Sequence, residues 1–355
     1  MASERLLLTH LPVELIGHIF SFLPLSDRKS ASLVCQLWSN LAFNVKFLRK
    51  ITLSLSLEHN SPVMQYLRKS SRSYRNVEIM SHFIHNYEKI NDILDVLGAN
   101  LESFCCFNDL SEEELCNVLV RSPNLEQLIV RVHASDLNRY HLCYPEMNKM
   151  RALHSMINVL QIRNLCAANL SHLSIKFYDA MDANRSIPVI RRLAPQLKSL
   201  EWVSANYFVP LDDLQFPNVE ILKLGVQVCR TGDSTLETFF AGFKYLKKVE
   251  LTFNISEIVL DVLTKACPDI QELKVNYNSL NSNSFSLLKL LKSLKTLSLS
   301  GRNDFPIIND GHPLVNVKQL SLSLLSRNSD SSVIEGFRQL LPNVIDMRAE
   351  LFANS

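Results

Sequence analysis

Glycine is scarce in this 355-residue chain, at 8 residues, and Trp occurs only twice. So little glycine excludes collagen-like and flexible linker-like sequences. The eight Cys form no CxxC pair and no regular framework, which excludes a disulfide scaffold. In a chain long enough to bury its own core, such Cys read as small hydrophobes in a reducing compartment. Charge of one sign is missing too: 37 Lys and Arg face 35 Asp and Glu, a formal net of +2. A nucleic-acid binder carries a larger imbalance or a clustered patch. No stretch reaches 18 uninterrupted apolar residues, so no membrane-spanning helix is expected. The start, MASERLLLTHLPVELI, sets Glu4, Arg5 and Glu14 around only three consecutive Leu and lacks the apolar core and cleavage site of a signal peptide. The expectation is a soluble protein of the cytoplasm or nucleus. No Walker loop, GxGxxG, HExxH or GxSxG occurs, so no cofactor is expected.

What is abundant is Leu, with 59 residues, in a chain that is 47% hydrophobic and 20% charged. The Leu residues repeat. LKTLSLS places apolar residues at relative positions 0, +3 and +5, as Leu294, Leu297 and Leu299. The same spacing starts at Leu125, Leu170, Leu197, Val219, Leu246, Ile270 and Val317, with weaker copies from Leu48, Tyr74, Leu101 and Val344. Successive anchors lie 22 to 27 residues apart, except for one step of 45 from Leu125 to Leu170. That step holds either a degenerate repeat or an insertion, and a loop followed by a helix over roughly 146–165 is the expectation there.

The +3 and +5 residues alternate with polar ones, as in a short strand with one buried face. Between strands the spacing turns helical: Val259, Val262, Leu263 and Ala266 fall at i, i+3, i+4 and i+7. Ser111 with Glu114 has capping-box spacing. Each repeat is then one strand plus one helix or helical turn, and since none can bury its apolar face alone, the units must stack. From Phe47 onward the chain resembles the leucine-rich-repeat family, most closely its cysteine-containing type, which ACPDIQELKV fits well. The resemblance implies an α/β solenoid, or horseshoe, of about 12 strand-helix units over residues 47–355. Where the family often places Asn or Cys at +8, only Asn254 and Asn278 comply clearly.

The first 46 residues break this rhythm. They read as three short helices: about Pro12–Leu23, one starting near Ser26 and Asp27, and Gln36–Ala42. The first is apolar on two stripes, Leu11, Leu15, Ile19, Phe22 and Leu23 on one and Val13, Ile16 and Phe20 on the other. A helix apolar nearly all round must be covered on all sides, and so short a segment cannot do that alone. The segment resembles the F-box motif in Leu11, Pro12, Glu14, Leu15, Ile19, Phe22, Leu23, Asp27, Val34, Cys35 and Trp38. The resemblance implies a helical module over 1–46 that docks on the Skp adaptor and through it on a cullin–RING ubiquitin ligase. It further implies a non-catalytic receptor whose repeats hold a target protein for ubiquitination. The alternative is a leucine-rich-repeat scaffold or inhibitor whose helical start only caps the repeats.

Other residues weigh less. Cys105 and Cys106 sit at +4 and +5 of a strand with no basic neighbour to favour a thiolate, so they read as packing residues. His133, His141, Cys143 and His154 match no familiar zinc spacing, and no metal site is expected. The outward +4 positions give the candidate target contacts. Among them Glu201, Lys223, Glu250 and Lys274 carry charge of both signs, which suits a protein partner rather than a nucleic acid.

Overall fold

The computed structural model describes residues 11–56, 63–70, 72–80, 87–132, 144–157, 166–177, 180–204, 214–226, 233–255, 257–276, 282–301, 313–324 and 337–351. The chain divides into two compact units, 1–131 and 132–355.

The first unit opens with four helices: α1 (Val13–Phe22), α2 (Leu25–Ala31), α3 (Gln36–Ala42) and α4 (Val45–Leu48). It continues with β1 (Thr52–Leu55), α5 (Val63–Lys69), β2 (Asn76–Ile79), α6 (Tyr87–Leu97), β3 (Ser103–Leu110), α7 (Glu112–Arg121) and β4 (Gln127–Val132). The strands lie in sequence order in one sheet, with β1–β2 and β2–β3 parallel. The capping box at the start of α7 is complete: Ser111 Oγ accepts the Glu114 N–H, and the Glu114 carboxylate accepts the Ser111 N–H. It satisfies two helix-end donors that have no partner inside the helix.

Helix α4 corrects the first repeat. Asn44 caps it by accepting the Phe47 N–H at 3.2 Å, and Leu48 is buried at its end instead of anchoring a strand. Leu53 pairs with Val77 and Leu55 with Ile79, so the +3 and +5 places fall two residues later than the spacing from Leu48 suggests. Ser54, rather than the Thr52 that an anchor at Leu48 would set at +4, therefore stands in the outward row, and its hydroxyl donates to Glu78.

The second unit is β5 (Ala152–Ile157), β6 (His172–Phe177), α8 (Ala180–Leu193), β7 (Ser199–Ser204), β8 (Ile221–Val226) and α9 (Asp233–Ala241). Then come β9 (Lys248–Asn254), α10 (Glu257–Ala266), β10 (Glu272–Asn276), α11 (Ser282–Leu288), β11 (Thr296–Gly301), β12 (Gln319–Leu324) and β13 (Asp346–Leu351). These nine strands are parallel and again in sequence order. Strand β5 shows that the 45-residue step hides a repeat anchored at Met150, dividing it into 25 and 20 residues. Of the helix expected over 146–165, residues 146–157 form a turn and β5 instead, and 158–165 lie outside the described residues; thirteen strands are present among the described residues, where about 12 units were expected. The repeat escapes the spacing pattern because its +5 place holds Ser155, which is 2% exposed.

Register explains why the repeats stack. The +3 row, Leu153, Leu173, Leu200, Leu222, Val249, Leu273, Leu297 and Leu320, is buried throughout, as is the +5 row. At +1, one carbonyl accepts two N–H groups of the next unit: Lys198 O takes Glu220 and Ile221, and Lys295 O takes Lys318 and Gln319. A third ladder runs through residues just before the anchors. Asn124, Asn169, Asn218 and Asn343 each donate from the side-chain amide to a carbonyl of the preceding unit, at 2.6–2.8 Å. Scarce glycine is spent at close approaches: a Cβ on Gly242 would lie 2.5 Å from the Leu214 carbonyl oxygen, and one on Gly98 2.8 Å from the Arg121 carbonyl oxygen. Parallel strands joined by helical connections at a 20–27-residue period make this a leucine-rich-repeat fold. No helix among the described residues is long and apolar enough to cross a membrane.

Candidate partner-binding face

Pro12 precedes α1 as its N-cap, and its carbonyl accepts the N–H groups of Leu15 (3.0 Å) and Ile16 (3.2 Å). The helix stops at Leu23, whose extended backbone leads into Pro24, which cannot donate to a helix. At 100° per residue the apolar side chains of α1 divide into two stripes. Ile16 and Phe20 are buried, and Leu11 and Leu23 pack on them, partly buried. Trp38 joins this small core from α3, edge-on to Phe20 with ring centroids 5.3 Å apart. Leu11, Leu23 and Trp38 thus shape the module from within, and the division between stripes differs from the one read off the sequence.

The other stripe faces water. Leu15, Ile19 and Phe22 lie at i, i+4 and i+7, and Phe22 is 75% exposed. Val13, at the start of the helix, is exposed as well. The link between α2 and α3 adds Leu33, 86% exposed, with Val34 and Cys35, and the first turn of α3 adds Leu37. Cys35 is the N-cap of α3, and its carbonyl accepts the Ser39 N–H at 2.9 Å. Glu14 stands exposed in the first turn of α1, where a carboxylate complements the helix dipole. Leu33 and Leu37 were not singled out in the sequence. The available signal was their position: Leu33 follows the last turn of α2, and Leu37 is one turn further on, facing away from Trp38 and the core. Scattered exposed Leu residues are ordinary, but several on three adjoining short elements mark an interaction surface.

The outward +4 row of the second unit is a different kind of surface. Ser174, Glu201, Lys223, Glu250 and Lys274 are register neighbours across β6 to β10. Lys223 Nζ lies 3.0 Å from Glu201 Oε1 and Lys274 Nζ 2.9 Å from Glu250 Oε1, while the Ser174 hydroxyl donates to Glu201 at 2.9 Å. Burial opposes ionisation of Glu201, but the hydrogen bonds from Lys223 and Ser174 outweigh it and hold its carboxyl below the usual range. The bond to Glu201 raises Lys223 in turn, against a smaller opposing effect of burial. The four charged residues are thus brought together as two ion pairs.

Burial pushes the Cys105 thiol up to about 11 and Cys106 up to about 12. Both are neutral thiols at neutral pH, unlike a nucleophilic Cys. His154 lies on β5, while His133, His141 and Cys143 lie outside the described residues. No group of three or more His, Cys, Asp or Glu among the described residues is arranged to hold a metal.

Residues 8–54 match the F-box-like family. No curated protein is similar to the chain in sequence. Among solved structures, the chain is similar to an internalin from Listeria monocytogenes, with 15% identity, coverage of 97% of this chain and 95% of that one, and a TM-score of 0.40. It is also similar to a structure of the Rad7 and Elc1 complex of yeast, with 14% identity, 94% and 92% coverage, and a TM-score of 0.47. A leucine-rich-repeat protein of Leptospira interrogans gives 14% identity, 88% and 92% coverage, and a TM-score of 0.27. The segment carrying the exposed apolar ridge of α1 is therefore an F-box-like segment, set before leucine-rich repeats.

Proposed function

We propose that this chain is a substrate receptor of a cullin–RING ubiquitin ligase. Its F-box module docks on a Skp adaptor, and its repeats hold a target protein. The observation that carries the reading is the exposed stripe of Leu15, Ile19 and Phe22, in a module that also exposes Leu33, Val34 and Leu37. A cap that only shielded the repeats would turn its apolar side inward, as Ile16 and Phe20 do. The reading as a scaffold with a capping helix leaves this second stripe without a purpose.

Pro12, Glu14 and Cys35 set the helix starts that present the stripe, and Leu11, Leu23 and Trp38 fix its shape. The chain is non-catalytic in this scheme. Its contribution is proximity: adaptor and target held on one frame raise the effective concentration of the target lysines at the charged conjugating enzyme. The outward row of Glu201, Lys223, Glu250 and Lys274 forms part of the target surface. The test is co-purification of the full chain with a Skp adaptor, beside the double variant Leu15→Asp, Ile19→Asp. Capture by the native chain and none by a folded variant supports the reading. Equal capture by both, or by neither, overturns it.

A further inference from the structure

In the second unit the two faces of charge differ. The +4 row neutralises itself through Glu201–Lys223 and Glu250–Lys274. The rim where the strands begin does not. After Arg151 and Ser171 its +1 row runs Lys198, Glu220, Lys247, Gln271, Lys295, Lys318 and then Ile345. Glu220 is paired with Lys247 at 3.1 Å, and beside them Lys248 is paired with Glu272 at 2.6 Å. Lys198, Lys295 and Lys318 are exposed and have no ion pair among the described residues. Two further carboxylates lie at this rim, Asp269 and Asp346, the latter paired with Arg348, and Lys244 and Lys292 add positive charge at the turns.

The rim is also rigid and greasy. Each +1 carbonyl is pinned by two N–H groups of the next unit, so the side chains project at the strand spacing of about 4.8 Å. Lys247 to Lys318 therefore spans about 14 Å. Ile345 continues the row at 85% exposed, Val315 stands exposed at the turn of the neighbouring unit, and Tyr245 is exposed at the turn before β9.

We infer that this rim docks an acidic polypeptide segment that also carries apolar side chains. The lysines supply charge complementarity, which steers association and fixes register. Ile345 and Val315 offer aliphatic surface that a sugar–phosphate backbone cannot use. Asp269 and the paired Glu220 and Glu272 interrupt the positive charge along the rim, which suits spaced acidic side chains rather than a continuous line of phosphates. The inference rests on the receptor reading and narrows its target class to acidic proteins.

The experiment is fluorescence anisotropy of the full chain with a labelled Glu-Glu-Leu repeat peptide, and with oligothymidylate of equal charge. The variants are Lys198→Glu/Lys295→Glu/Lys318→Glu on the rim, Ile345→Ser, and Lys69→Glu/Lys265→Glu away from it. The expected result is saturable peptide binding that weakens about tenfold or more in the rim triple variant and severalfold in Ile345→Ser. The control should change less than about twofold. No peptide binding, equal loss in the control, or tighter binding of the oligonucleotide overturns the inference. Adaptor capture measured on the same preparations keeps the two proposals apart: rim variants should retain it, and its absence from the native chain would overturn the receptor reading alone.

Discussion

The F-box-like helices and the repeats of the second unit solve the burial problem in opposite ways. In the repeats, alternation along each strand sends Leu inward at +3 and +5 and charge outward at +4, and most outward charges find a partner one strand away. The helical module has too few residues for this. It buries Ile16 and Phe20 under Trp38 and leaves Leu15, Ile19 and Phe22 in water. Charges that satisfy one another need no partner to stay stable, whereas a surface left apolar is incomplete until something covers it. The contrast predicts that substitutions of equal size will act on binding in one region and on stability in the other.

The largest effect should come from charging the ridge. Leu15→Asp with Ile19→Asp should weaken adaptor binding more than about a thousandfold, since buried interface anchors carry most of the affinity. Thermal stability should change little, because both side chains already face solvent. Titration of adaptor into each chain by calorimetry, with a melting curve alongside, checks both halves. A folded variant that binds normally would remove the distinction between the regions. Truncating the inward stripe should do the reverse. Phe20→Ala empties the core between α1 and α3 and should cost about 3–5 kcal/mol, read from denaturant unfolding.

Much of the fold was legible because apolar spacing is a direct record of which side of a strand is buried. Where that record was broken, the reading slipped. Ser155 takes a +5 place normally held by Leu, Ile or Val, so β5 stayed hidden, although Met150 and Leu153 keep the rhythm. Leu48 mimics an anchor but closes α4, which displaced the first register by two residues. The amide ladder was missed for another reason: Asn was sought at +8, while this chain places it just before the anchor, at Asn124, Asn169, Asn218 and Asn343. Asn218→Ala should therefore cost about 1 kcal/mol by freeing the Pro195 carbonyl. Ser155→Ala should be neutral or stabilising by up to about 1 kcal/mol, because the buried Ser155 hydroxyl has no hydrogen-bond partner among the described residues. For the ridge, sequence identified the apolar residues but divided them wrongly between stripes; only the packing of Leu23 beside Phe20 resolves which side is inside.

The smallest effect concerns the paired row. The Glu201 carboxyl is held below its usual range by Lys223 and Ser174, so its contribution to stability is present above the unfolded carboxylate range and is lost as pH falls through the folded value. Lys223 is raised, so its contribution is present below the unfolded Lys range and is lost as pH rises through the folded value. The pair therefore stabilises the sheet across the neutral window and fades at both ends. Both side chains are partly exposed, 37% for Lys223 and 21% for Glu201, so solvent limits the gain to about 0.5 kcal/mol. Glu201→Gln should lose that increment at pH 7 and flatten the acid limb of the stability curve, with no effect on adaptor binding. Denaturant midpoints of the native chain and the variant, compared from pH 3 to pH 7, would reveal it. A midpoint difference that stays constant down to pH 3 would mean the ion pair is not the source.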